Sequence, residues 1–167
     1  TLNPIKHIDP LGTIVVPTLT MLAGGILFGW AKPVPVDFSR LRNPKKDMLW
    51  VAAAGPASNL VMAVIWAFVF NFSAHAPENF VTPLSLMAQA GVMINVVLLV
   101  LNLLPLPPLD GGRIAVSLLP NHLAYHFSKL ERFGFVILII LLFSGVLFQI
   151  MMPFIRGMLW LIGSITG

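Results

Sequence analysis

Cysteine is absent from the 167 residues, which removes a disulfide framework and thiolate metal ligation together; any metal bound here must be held by His, Asp, Glu or backbone oxygen. Charge is nearly as scarce. Only 10% of residues are Asp, Glu, Lys or Arg, against about 25% in an ordinary soluble domain, too few to coat a globule of this size. With 57% hydrophobic residues and a mean hydropathy of +0.92, the composition is that of an integral membrane protein, and the lipid bilayer is its expected partner. The formal net charge of +4 is carried by bases clustered beside apolar segments with few aromatics interleaved, which fits a cytoplasmic membrane face and argues against nucleic acid. No internal repeat or low-complexity tract is present, so residues 1–167 read as a single membrane domain. The sequence starts at Thr1 instead of Met, with no basic region or cleavage site ahead of it, and is expected to be a fragment.

Three apolar runs, approximately Met48 to Phe70, Leu84 to Leu104 and Phe133 to Met152, are long enough to span a hydrocarbon core, for which about 20 helical residues are needed. A weaker fourth, Ile14 to Trp30, is interrupted by Pro17, Gly24, Gly25 and Gly29; it suits a thin helix or a re-entrant element, which requires protein cover over its free backbone groups. The tail from Pro153 to Gly167 contains Arg156 and Trp160 and favours an interfacial helix.

The bases orient these runs. Lys32, Arg40, Arg42, Lys45 and Lys46 fall in the first loop and Arg113, Lys129 and Arg132 in the third, whereas Asn71 to Pro83 holds no Lys or Arg; the first and third loops are therefore expected to be cytoplasmic. Within the first loop, Phe28-Gly-Trp-Ala-Lys-Pro-Val-Pro-Val36 is alternating and proline-punctuated. It reads as an extended edge able to receive a peptide by strand addition, with a plain connecting loop as the alternative.

Asp110 is the most informative residue. It ends Asn102-Leu-Leu-Pro-Leu-Pro-Pro-Leu-Asp110 and is followed by Gly111-Gly112; Pro105, Pro107 and Pro108 break the preceding helix before the acid. An ionised carboxylate at mid-bilayer depth costs roughly 3 kcal/mol, so acids placed there usually serve ion, proton or metal chemistry. Zinc binding, worth on the order of 10 kcal/mol in structural sites, would offset that cost. The alternative is that Asp110 caps the short helix that follows. Upstream, Gly55-Pro-Ala-Ser-Asn59 predicts a proline-containing turn packed closely on a neighbour, with Asn59 about one turn beyond Gly55 and able to hydrogen-bond across the contact.

The rest of a zinc site is not in the sequence. No His-Glu-x-x-His occurs. His75-Ala-Pro-Glu78-Asn79 has Asn where the inverted motif needs its final His. His122 and His126 share an i,i+4 spacing without a carboxylate between them, beside Tyr125, Lys129 and Arg132, and read as an interfacial basic face. His7 reads as a loop hydrogen-bonding residue. Ser58 has no Gly-x-Ser-x-Gly elbow around it.

The run Thr1 to Thr13 containing Asn3-Pro-Ile-Lys-His7, then Phe28 to Val36, then Ala54-Gly-Pro-Ala-Ser-Asn59 and Asn102 to Gly112 together resemble the site-2 proteases, intramembrane zinc metalloproteases of the M50 group, in the order and spacing of the compact prokaryotic members. The resemblance implies that Asp110 is the third zinc ligand and that Asn102 helps to hold the substrate carbonyl or its oxyanion. It places Phe28 to Val36 along the substrate path and Gly55, Pro56 and Asn59 on the helix beside the core. The family's two zinc-binding histidines and its glutamate have no counterpart here. They are expected upstream of Thr1, which makes this chain the C-terminal part of such a core and inactive alone.

The expected fold is an all-α integral membrane, multi-span helical bundle with a broken helix at the acid and a short extended or re-entrant element, in a prokaryotic cell membrane. The expected activity is zinc-dependent endopeptidase cleavage within a transmembrane protein or peptide substrate. A non-catalytic membrane scaffold of the same family is the second reading. A transporter is the third, although the paired half-repeats common in that class are not seen.

Overall fold

The computed structural model describes residues 9–24 and 43–167, and the chain divides into two compact units, Thr1–Leu41 and Arg42–Gly167. In the first unit, Leu11 N–H donates to Asp9 Oδ1 at 3.1 Å as the chain enters a π-helical turn, Pro10–Val15, that leads into α1, Val16–Gly24. Helix α1 is described over nine residues. The proposed edge from Phe28 to Val36 and His7 lie outside the described residues.

The second unit is helical from end to end, and no strand occurs among the described residues. Helix α2, Pro44–Ser73, starts with proline at its first position, where the missing N–H costs nothing. Asn43 N–H donates to Asp47 Oδ2 at 3.1 Å, so a side chain one turn in closes the entry. A tight turn, in which His75 N–H meets Phe72 O at 3.0 Å, returns the chain into α3, Glu78–Leu103. The pair packs closely because its facing residues are small: Ala52, Pro56, Ala63 and Ala67 on α2, Ala88 and Gly91 on α3. Gly91 lies directly under the Trp66 ring, so that a β-carbon there would overlap it. Small residues of this kind let transmembrane helices approach where no hydrophobic force between them exists.

Helix α3 ends where the prolines demand. Leu104 is extended (φ −59°, ψ 132°), as expected of a residue that precedes proline. The turn closes by Leu109 N–H to Leu106 O at 2.9 Å, with Pro107-Pro108 in cis, before α4, Asp110–Leu118. The broken helix at the acid is therefore present. Helices α5, Asn121–Ser128, and α6, Glu131–Phe143, follow.

The last apolar stretch is divided differently from the sequence expectation. One span was expected over Phe133 to Met152 with an interfacial tail from Pro153; instead the chain breaks at Gly145, which adopts φ 74°. A backbone in that region suits glycine and ends a helix readily. Helix α6, at 13 residues, covers about 20 Å and cannot cross a core of about 30 Å. Helix α7 runs unbroken over Val146–Thr166 with Pro153 inside it. It buries Leu147, Met151, Ile155 and Ile162 in one cluster with Ala63 and Ala67 of α2 and Val96 and Val100 of α3.

Helices α2, α3 and α7 are each long and apolar enough to cross a membrane. Their outer faces leave Val61, Ile65, Phe68, Leu86, Ile94 and Phe154 exposed, the surface a helix presents to lipid and not to water. The fold is an all-α membrane bundle.

Candidate metal and peptide site at the helix break

Two contacts fix the two ends of the bundle. Asn71 Nδ2 donates to Thr166 O at 2.5 Å, joining the end of α2 to the end of α7. At the other end Lys45 Nζ donates to Leu119 O at 2.7 Å, so the start of α2 holds the exit of α4. The break between α3 and α4 lies in this second region.

Asp110 is the first residue of α4, and Leu109, extended at φ −68° and ψ 160°, takes the N-cap place with no side-chain cap bond. Asp110 therefore does not serve as the cap, though it stands in the first turn where a negative charge meets the positive end of the helix dipole. Its carboxylate, half-buried, faces Gly55: a β-carbon at position 55 would stand 2.7 Å from Oδ2 and 3.7 Å from Cγ. Burial pushes the Asp110 carboxyl above the ordinary range, and the Arg113 guanidinium one turn on pulls it partly back. No hydrogen bond to the carboxylate occurs among the described residues, so its oxygens keep their lone pairs.

Backbone packing holds that carboxylate in place. A β-carbon at Gly111 would overlap the carbonyl oxygens of Leu103 and Leu104, and one at Gly112 would meet Leu106 C at 2.7 Å and Pro107 Cα at 2.8 Å. The two glycines thus let α4 fold back against the end of α3 and the proline turn. Gly134 of α6 packs on the same turn: a β-carbon there would overlap Pro107 O and stand 2.9 Å from Pro108 Cδ.

Asn102 sits in the last turn of α3, half-buried, and its amide makes no hydrogen bond among the described residues. Asn59 is also half-buried without such a bond. The bond that Asn59 could make to a neighbouring helix is not found among the described residues, whereas Gly55 meets its neighbour closely.

The histidines stay apart from Asp110. His122 and His126 stack edge to face at 5.1 Å between centroids on the exposed surface of α5, where Lys129 Nζ lies 4.2 Å over the Tyr125 ring. His75 is in the turn between α2 and α3. Among the described residues no three His, Cys, Asp or Glu side chains gather into a metal-binding group.

Two features that position the site carried little signal in the sequence. Gly134, in an apolar helix, announces a close approach without saying to what. The Lys45 bond to Leu119 spans 74 residues and has no local pattern.

Residues 73–145, which include Asn102 and the whole proline turn through Asp110, match the model for peptidase family M50. The chain is also 36% identical over 161 residues to "Putative zinc metalloprotease YwhC" of Bacillus subtilis, covering 94% of this chain and 70% of that protein. This chain belongs to peptidase family M50. A second relative, "Putative zinc metalloprotease Rip2" of Mycolicibacterium smegmatis, is 34% identical over 153 residues, covering 88% of this chain and 54% of that protein. No solved structure matches the M50 chain significantly.

Proposed function

We propose that this chain carries the carboxylate half of an intramembrane zinc endopeptidase, with Asp110 as a zinc ligand and Asn102 as the residue that holds the scissile carbonyl. The observation that carries the reading is Asp110 itself: a half-buried acid, without a hydrogen bond among the described residues, set beside Gly55 at the break between α3 and α4. A carboxylate whose lone pairs are not consumed is a competent oxygen donor for zinc. It fits as one ligand. Among the described residues no group of three His, Cys, Asp or Glu side chains forms around it, and the two imidazoles and the glutamate of the family's motif are not in this sequence.

Zinc, when bound, polarises a carbonyl and lowers the pKa of its water. The chain's own contribution is binding and orientation. Gly111 and Gly112 seat α4 so that Asp110 is fixed by backbone contacts, and the Asn102 amide is free to donate to the carbonyl oxygen as negative charge develops there, a role worth about 3 kcal/mol where such a donor has been removed. The substrate is a transmembrane polypeptide that must unwind locally, because a helical peptide bond is shielded and already paired.

The test is metal content in the complete gene product purified from membranes. Asp110→Ala should lower zinc occupancy while the protein keeps its elution volume and helical signal. Unchanged zinc in that variant removes Asp110 from the site. The 167-residue polypeptide by itself should show no zinc-dependent cleavage; robust metal-dependent proteolysis by it contradicts the proposal.

A further inference from the structure

Five asparagines lie in α2 and α3, and they divide by what their amides do. Asn79 is exposed in the first turn of α3. Asn95 is buried and donates to Gly91 O at 2.8 Å, and Asn71 donates to Thr166 O. These last two are used within the fold. Asn59 and Asn102, both half-buried, have no hydrogen-bond partner among the described residues. Neither amide is fully enclosed, so both are open to a partner from outside the described fold, and such a bond is worth most where water is scarce.

Position says where that partner would lie. Four residues on a helix differ by about 40° around the axis and about 6 Å along it, so Asn59 lies on nearly the same stripe as Gly55, one turn further on. Gly55 touches Asp110. Asn102 approaches the same region from α3, whose last carbonyls at Leu103 and Leu104 pack on Gly111. Asn59 is thus one turn from the residue that meets Asp110, and Asn102 immediately precedes the carbonyls that pack on Gly111.

A side-chain amide both donates and accepts, which matches the alternating N–H and C=O groups of an extended peptide. Those peptide groups lose their helical partners when a membrane segment unwinds. We infer that Asn59 is a substrate-binding residue that hydrogen-bonds the extended peptide backbone beside Asp110, paired in this task with Asn102 on the facing helix. The inference rests on the zinc-peptidase reading and goes beyond it in assigning to α2 a direct contact with substrate.

Two zinc-directed probes separate the claims in the complete gene product: acetohydroxamate, which offers only the metal-binding group, and a tripeptidyl hydroxamate, which adds a peptide backbone. Asn59→Leu, close in size but unable to hydrogen-bond, should leave zinc content and acetohydroxamate affinity unchanged and weaken the tripeptidyl probe roughly tenfold, the loss of one to two backbone hydrogen bonds. Asn59→Ala is carried alongside, so that a folding defect caused by the leucine branch cannot mimic the result. Equal affinity of both probes for wild type and both variants overturns the inference, as does parallel weakening of the two probes. Absence of zinc and of binding by either probe in the wild type instead overturns the zinc-peptidase reading, and the inference with it.

Discussion

Gly55 and Asp110 touch across the contact between α2 and α4, and a β-carbon at position 55 would come within 2.7 Å of Asp110 Oδ2. The contact joins Gly55-Pro-Ala-Ser-Asn59 to Pro107-Pro-Leu-Asp110, two motifs far apart in the sequence. The nearest obstacle is the end of a side chain and not backbone, so a methyl group there can be accommodated only by turning the carboxylate aside.

Gly55→Ala should therefore separate stability from metal binding. Alanine gains about 1 kcal/mol over glycine inside a helix, and the strain of the added methyl is relieved when Asp110 rotates. Thermal unfolding in detergent should shift little, while zinc affinity of the complete protein falls about 10- to 100-fold, the range seen when the support of a metal ligand is removed. Gly55→Ala combined with Asp110→Ala should bind zinc no more weakly than Asp110→Ala alone. An additive loss in the double variant would place the effect of Gly55 elsewhere.

Lys45→Met tests the support from the other end of α4. Lys45 Nζ donates to Leu119 O at 2.7 Å, a cation on the carbonyl that closes a helix C-terminus, where positive charge is favourable by about 0.3–1 kcal/mol. Methionine keeps the length of the side chain and removes the donor. Amide exchange over Asp110–Leu118 should quicken by several-fold with the exchange of α3 unchanged, and uniform protection across both helices would show that Lys45 does not hold α4.

The sequence made the break and the acid legible because proline acts locally. Pro105, Pro107 and Pro108 can stop a helix without help from the rest of the fold, and the structure stops α3 at Leu103. The close approach at Gly55 was legible for a similar reason, since a glycine beside Pro56 in an apolar run has few uses other than packing. The last span was misread because hydropathy does not fall at Ser144-Gly145. That break depends on one backbone angle, φ 74° at Gly145, which apolar run length does not encode. The hydrogen-bond states of Asn59 and Asn102 were not legible either, because they depend on what the neighbouring helices do not offer.

Gly91 and Trp66 give a prediction for the helix pair that carries the site. A β-carbon at Gly91 would stand within 2.7 Å of several Trp66 ring atoms, and these include Cγ, which turning the ring about its own bond does not move. Gly91→Ala should destabilise the bundle by about 1–3 kcal/mol, the usual cost of overpacking, measured by thermal unfolding in detergent. Trp66→Leu should recover most of that loss in the double variant, because it removes the obstructing ring. Failure of the second change to rescue the first would mean that the two residues do not share the contact.

Gly134 should behave in the opposite way, because its obstacle is backbone. A β-carbon there would overlap Pro107 O, and a carbonyl fixed between two proline rings cannot be trimmed by mutation. Gly134→Ala should push α6 off the turn at a cost similar to the Gly91 change, with no single side-chain substitution able to restore it. The damage should also reach the site: Gly134 of α6 and Gly112 of α4 both pack on Pro107, so a displaced turn moves the start of α4. Zinc affinity of the complete protein should therefore fall together with its melting temperature in Gly134→Ala, whereas in Gly91→Ala, whose contact is between α2 and α3 and away from the turn, stability should fall more than metal affinity does. Equal loss of zinc in the two variants at equal loss of stability would remove the proline turn as the element that sets the position of Asp110.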